Sequence, residues 1–175
     1  MNWETFTLRD ETYDLTHLHS CMMQFQRPEK DEKPATTFNV DVSYGLHCFT
    51  RKAPQAEQHD KRLEYSDARE TRLFDLKRYE YSKLLPHIVK SLADRRCRQT
   101  GFSNYLTIEC RAENRKTVEY DVFFTVSKSS RKGRLNLFIQ SAYVRDDPKS
   151  RPPSPRPIRF LIILHNTLNN KFIRA

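Results

Sequence analysis

The chain has 175 residues, enough for a single domain (1–175) that holds its own core without disulfides. Its 31 Lys and Arg against 22 Asp and Glu give a net charge of +9, which favours polyanionic partners: nucleic acid, RNA ahead of DNA, or an acidic protein surface. With three glycines, Gly45, Gly101 and Gly133, a glycine-rich phosphate cradle is excluded, and nucleotide-dependent enzymes of the usual kinds drop out together with G-x-S-x-G hydrolases.

Taken in order, Trp3, Phe6 and Leu8 form a short first strand or pin the N-terminus. From Tyr13 to Phe25 the residues Tyr13, Leu15, His17, His19, Cys21, Met23 and Phe25 occupy alternate positions, which predicts a strand with one shared face. Thr36–Thr50 alternates in the same way, and the two runs predict a long N-terminal antiparallel hairpin over about 13–50. Arg51–Tyr65 is polar and reads as a loop. Asp75 is a plausible N-cap for the helical pattern Leu76, Tyr79, Leu84, Ile88 and Leu92. Pro86 interrupts that pattern, so a kinked helix or two consecutive helices are expected over about 75–96.

A C-terminal antiparallel sheet is expected over about 102–165. Its strongest part is Thr117–Arg145, where Val118, Tyr120, Val122, Phe124 and Val126 alternate with polar residues and Leu135, Leu137, Ile139 and Tyr143 return beyond a basic turn at Gly133. Ile158–Leu164 is nearly all apolar and reads as a strand covered on both faces. The fold class is α+β: a mostly antiparallel sheet of about six strands with helices packed on one face. The longest apolar run is too short to cross a bilayer, no signal-peptide pattern opens the chain, and the four cysteines lack C-x-x-C spacing, so a reduced, cytoplasmic protein without membrane contact is expected.

Three constellations carry possible chemistry. Metal-independent RNA cleavage needs a His or Glu to take the 2′-OH proton and Arg or Lys to stabilise the phosphorane, and His47, Arg69, Glu70, Arg72 and Tyr79 supply such groups. The competing interpretation is an ordinary solvated face of ion pairs. Lys128, Arg131, Lys132 and Arg134 in one basic loop, and Lys149, Arg151 and Arg156 in another, are candidate nucleic-acid contacts. They stand at opposite ends of one strand, roughly 35–40 Å apart, with Tyr105, Phe123 or Phe138 available for stacking. His17, His19, Cys21 and Cys48 form a weaker metal alternative, against which stands a plain core role for the cysteines. No metal or other cofactor is expected.

Four strings, DVSYGLHCFTR (41–51), YSDARETRLFDLKRY (65–79), LNLFIQSAYVRD (135–146) and PIRFLIILHNTLNNK (157–171), resemble a family of uncharacterised prophage and integrative-element proteins. These are labelled stationary-phase growth-adaptation proteins or heat-shock protein C. The resemblance implies a mobile-element setting with toxin or defence roles. A second likeness is architectural: helix followed by antiparallel sheet is similar to the barnase, EndoU, colicin and RelE-type ribonucleases. The expected function is therefore a small basic mobile-element protein acting on RNA as a metal-independent endoribonuclease. The alternative is a non-catalytic nucleic-acid- or protein-binding regulator or inhibitor.

Overall fold

In the computed structural model, residues 2–29, 34–54, 59–99, 104–111, 117–145 and 157–172 are described. The strands are β1 (Phe6–Leu8), β2 (Glu11–Tyr13), β3 (Cys21–Arg27), β4 (Thr36–His47), β5 (Thr50–Arg51), β6 (Glu64–Ser66), β7 (Thr71–Phe74), β8 (Arg96–Gln99), β9 (Asn104–Arg111), β10 (Thr117–Lys128), β11 (Arg134–Val144) and β12 (Ile158–Arg159). The helices are α1 (Leu76–Ser82), α2 (Leu85–Lys90) and α3 (Phe160–Leu168). The class is α+β.

The main sheet has seven strands in the order β12-β8-β9-β10-β11-β4-β3. It is mixed, which corrects the expectation of a mostly antiparallel sheet of about six strands: β4 and β11 run parallel. The register explains the pairing. Val40 lies beside Leu135, Val42 beside Leu137 and Tyr44 beside Ile139, all six buried, and a slip of one residue would turn one row toward solvent. The β10–β11 hairpin forms as expected, with Gly133 at φ 75 in its turn and a bulge between Phe123 and Phe124.

At Gly45 a second irregularity in the β4–β11 ladder brings the two backbones together. A Cβ there would lie 2.8 Å from the Gln140 carbonyl oxygen and 3.0 Å from the tip of the Phe138 ring. Gly45→Ala should therefore destabilise the fold by about 1–3 kcal/mol, seen as a lower denaturation midpoint with an unchanged slope, since the strand must shift to admit one methyl group.

Asp75 caps α1, accepting a hydrogen bond from the Arg78 backbone N–H at 2.9 Å. Pro86 sits in the first turn of α2, where a missing N–H breaks no helical bond, so two consecutive helices form. A 3-10 turn over Ser91–Asp94 ends the helical segment, and β8 follows it.

Three other expectations are corrected. Tyr13–Phe25 is not one strand, because a 3-10 turn at Thr16–Leu18 divides β2 from β3 and buries Leu15 and Leu18. The polar stretch Arg51–Tyr65 contributes β5 and β6 to a second sheet, ordered β5-β7-β6. Ile158–Leu164 gives two strand residues and then α3, whose Phe160, Ile163 and Leu164 are buried; a short apolar run does not by itself distinguish a covered strand from a buried helix. Phe160 packs its ring on Phe25 and Phe124, closing the core over the sheet. Among the described residues no helix is long and apolar enough to cross a membrane.

A candidate active-site cleft

The residues that alternate with the core on β10 and β11 form the floor of a cleft of about 510 Å3: Phe123, Phe138, Ser141 and Tyr143. Its walls are the end of β4, Gly45–His47, and the turn joining β6 to β7. The turn is built by Asp67, whose carboxylate accepts the backbone N–H groups of Arg69 at 2.8 Å and Glu70 at 3.0 Å. Those bonds hold the Asp67 carboxyl below the usual carboxylate range.

Held this way, Glu70 meets His47 on the polar side of the cleft. His47 Nε2 lies 2.7 Å from Glu70 Oε1, and Arg72 Nη1 lies 3.3 Å from Glu70 Oε2. Arg72 is fixed in turn by donating from Nε to Thr50 Oγ1 at 3.0 Å. The bond from His47, then the bond and charge of Arg72, push the Glu70 carboxyl below its ordinary value. Its ionised form is favoured in the folded chain, so the contribution to stability is present above the ordinary Glu range, near pH 4.3, and is lost as pH falls through the folded value. His47→Ala should move the Glu70 midpoint upward, as followed by carboxyl chemical shift in an NMR titration.

Arg78, which sequence reasoning leaves outside the catalytic set, supports the same wall from behind. Its Nη1 donates to the carbonyl of His47 at 3.0 Å and of Thr50 at 2.8 Å, and its guanidinium carbon lies 5.2 Å from the Tyr143 ring centre. Burial pushes the Arg78 pKa down from its ordinary value. An Arg spaced three residues after a capping Asp was the available signal, but nothing in the spacing says which backbone carbonyls it reaches.

The other anticipated residues are distributed differently. Arg69 lines the cleft, with Asp67 its nearest ion-pair partner at 3.9 Å. Tyr79 does not line it: the ring is buried against Tyr13, Phe74 and His17, in a cluster of rings that also holds Phe6 and Phe49. His17 and His19 do not share a strand face with Cys21. His17 bonds Ser82 Oγ at 2.8 Å and His19 the Trp3 carbonyl at 3.0 Å, while Cys21 is exposed and Cys48 buried, its thiol pushed up to about 12 by burial. Among the described residues no three His, Cys, Asp or Glu side chains gather as a metal site.

Lys128, Arg131 and Lys132 are exposed at the β10–β11 turn, and Arg134 pairs with Asp41 at 3.0 Å. The register sets that turn apart from the cleft: Arg134 lies beside Asn39 at one end of the parallel pair, Ser141 beside His47 at the other. Lys149, Arg151 and Arg156 lie outside the described residues.

Next to the floor, Tyr105, Phe123 and Tyr143 stack across three strands with ring centres 5.4 and 5.7 Å apart. Beside them Arg145 pairs with both Asp121 and Glu119, and Thr107 Oγ1 donates to Asp121 at 2.6 Å. This ionic group ties β9, β10 and the end of β11 together.

No solved structure matches the chain. It is similar to Protein YjaZ of Escherichia coli (strain K12), 26% identical over 172 residues that span 97% of this chain and 92% of that protein. A sequence model of the YjaZ family matches residues 5–168, and the chain belongs to that family.

Proposed function

We propose that this protein acts on RNA as a metal-independent endoribonuclease, with His47 and Glu70 as its central pair. The observation that carries the reading is the 2.7 Å contact between these two side chains at a cleft that Arg69 also lines. A Glu with a lowered pKa is a poor proton acceptor, so its part is to orient His47 and to stabilise the imidazolium. With Nε2 engaged by the carboxylate, His47 Nδ1 is the atom that takes the 2′-OH proton. The 2′-oxygen then bonds to phosphorus, the bond from phosphorus to the 5′-oxygen breaks, a water molecule reaching the half-exposed pair protonates the leaving oxygen, and the His47 imidazolium gives its proton to the hydroxide so formed. The products are a 2′,3′-cyclic phosphate and a 5′-hydroxyl. Arg69 stabilises the added negative charge on the phosphorane. The mobile-element resemblance fits a toxin or defence role for such an activity.

The deciding experiment incubates the purified chain with total bacterial RNA, with and without EDTA. Defined cuts that survive EDTA and end in cyclic phosphates support the reading; intact RNA over a range of protein and salt concentrations removes it. A second reading, a non-catalytic nucleic-acid- or protein-binding protein, draws support from the exposed basic turn at Lys128, Arg131 and Lys132, far along β11 from the cleft. It is favoured if RNA is bound with a steep salt dependence and never cut.

A further inference from the structure

The cleft is divided by chemistry. One side is aromatic, with Phe123, Phe138 and Tyr143; the other holds His47, Asp67, Arg69 and Glu70. Both carboxylates on the polar side are engaged, Asp67 by two backbone N–H groups and Glu70 by His47 and Arg72. Arg69 is 71% exposed and its nearest carboxylate oxygen, on Asp67, is 3.9 Å away, at the outer limit of an ion pair, which leaves its guanidinium open to an anion from solvent. A ligand that fits carries a flat unsaturated part and an anionic part a few ångströms away, and the volume of about 510 Å3 lies within the range of small-molecule sites.

The rings are not equivalent. Phe123 lies between Tyr105 and Tyr143, and Tyr143 also meets Arg78, so the faces of those rings are turned to one another. Phe138 takes no ring partner among the described residues, and its tip reaches over Gly45, where a side chain would crowd it. Glycine at that position leaves the Phe138 ring room at the cleft.

We propose that the cleft seats one unpaired nucleobase of a single-stranded polynucleotide against Phe138, with the adjoining phosphate at Arg69. The inference rests on the RNA reading of the cleft and narrows it: a base within a duplex is already stacked on both faces and cannot lie on a protein ring without leaving the helix. Single strands are therefore the substrate class, and duplex is excluded from the site.

The test uses dye-labelled single-stranded deoxyoligonucleotides, which lack the 2′-OH and cannot be cleaved by this chemistry, and a duplex of the same sequence. Binding to the full chain is read by fluorescence anisotropy at fixed salt. The single strand is expected to bind at least about tenfold more tightly than the duplex. Phe138→Leu, which keeps apolar volume, should weaken single-strand binding about tenfold, and Phe138→Trp should restore it. Equal affinity for the two forms, or single-strand binding unaffected by Phe138→Leu, overturns the inference. Tight single-strand binding with RNA left intact sinks the ribonuclease reading but keeps this one. Cleavage of RNA that is indifferent to strandedness does the reverse, and neither binding nor cleavage removes both.

Discussion

His47→Ala should slow RNA cleavage by about 10²–10⁴-fold while moving the melting temperature little. The large kinetic effect follows from removing the group assigned to the 2′-OH proton. The small structural effect follows from exposure: the His47 side chain is 40% and the Glu70 side chain 43% exposed, so the pair contributes little to stability. Glu70→Gln keeps an acceptor for the imidazole but removes the charge that stabilises its protonated form, and its loss should lie between that of His47→Ala and the parent. Arg69→Ala should cost about 10²-fold if the guanidinium meets the phosphorane. Tyr79→Phe provides the contrast, since that ring is buried away from the cleft and its variant should cleave at the parent rate. The readout is the initial rate on a labelled oligoribonucleotide, with thermal melts alongside. Parent-like rates in the His47 and Glu70 variants would remove the assignment.

Asp121→Ala should be the most destabilising of the substitutions considered, by about 3–5 kcal/mol, or roughly 6–20 °C in melting temperature for a chain of this length. The Arg145 side chain is 3% exposed and that of Asp121 1% exposed, so truncating the acid leaves a guanidinium in a dry site with Glu119 as its remaining carboxylate. Thr107 Oγ1 also loses its acceptor. The converse arm separates charge from packing. Replacing the pair together, Asp121→Leu with Arg145→Met, removes both charges at similar volume and should recover most of the loss. Denaturant midpoints for the three proteins decide it: a double variant no better than Asp121→Ala alone would mean that the shape of the site, rather than its charge balance, governs the effect.

Local pattern carried a good part of the fold. The period-two runs of β4, β10 and β11, the Asp75 cap and the break at Pro86 each follow from neighbours in sequence, and each stands where those neighbours put it. What escaped was of another kind. The parallel contact of β4 with β11 depends on two buried rows matching across a long separation, and neither row states its partner. The sheet β5-β7-β6 is made of strands of two to four residues, too short for alternation to register, and its Asp67–Glu70 turn lies in a charged stretch that reads equally well as the approach to a helix. His47, Glu70, Arg69 and Arg72 were legible as residue types suited to acid–base and phosphate chemistry. Their meeting was not, because it depends on that turn standing over the end of β4. Tyr79 carried two readings, a place in the apolar helical pattern and a catalytic group, and its ring stands with the first, packed in the cluster of Tyr13 and Phe74.

The parallel β4–β11 contact also sets an order of events during synthesis. The Arg134–Asp41 pair at its start joins residues 93 apart. At about 5–20 residues per second, the ribosome delivers β11 roughly 5–20 s after β4. Through that interval the β3–β4 hairpin has emerged with one backbone edge unmatched, a row of free N–H and C=O groups on a strand rich in buried apolar side chains. Loop closure over that distance has to be met before the central pairing returns any stabilisation. The nascent chain is thus most open to pairing with a second copy of itself before its C-terminal half arrives, and it is then that a chaperone would matter most to its yield.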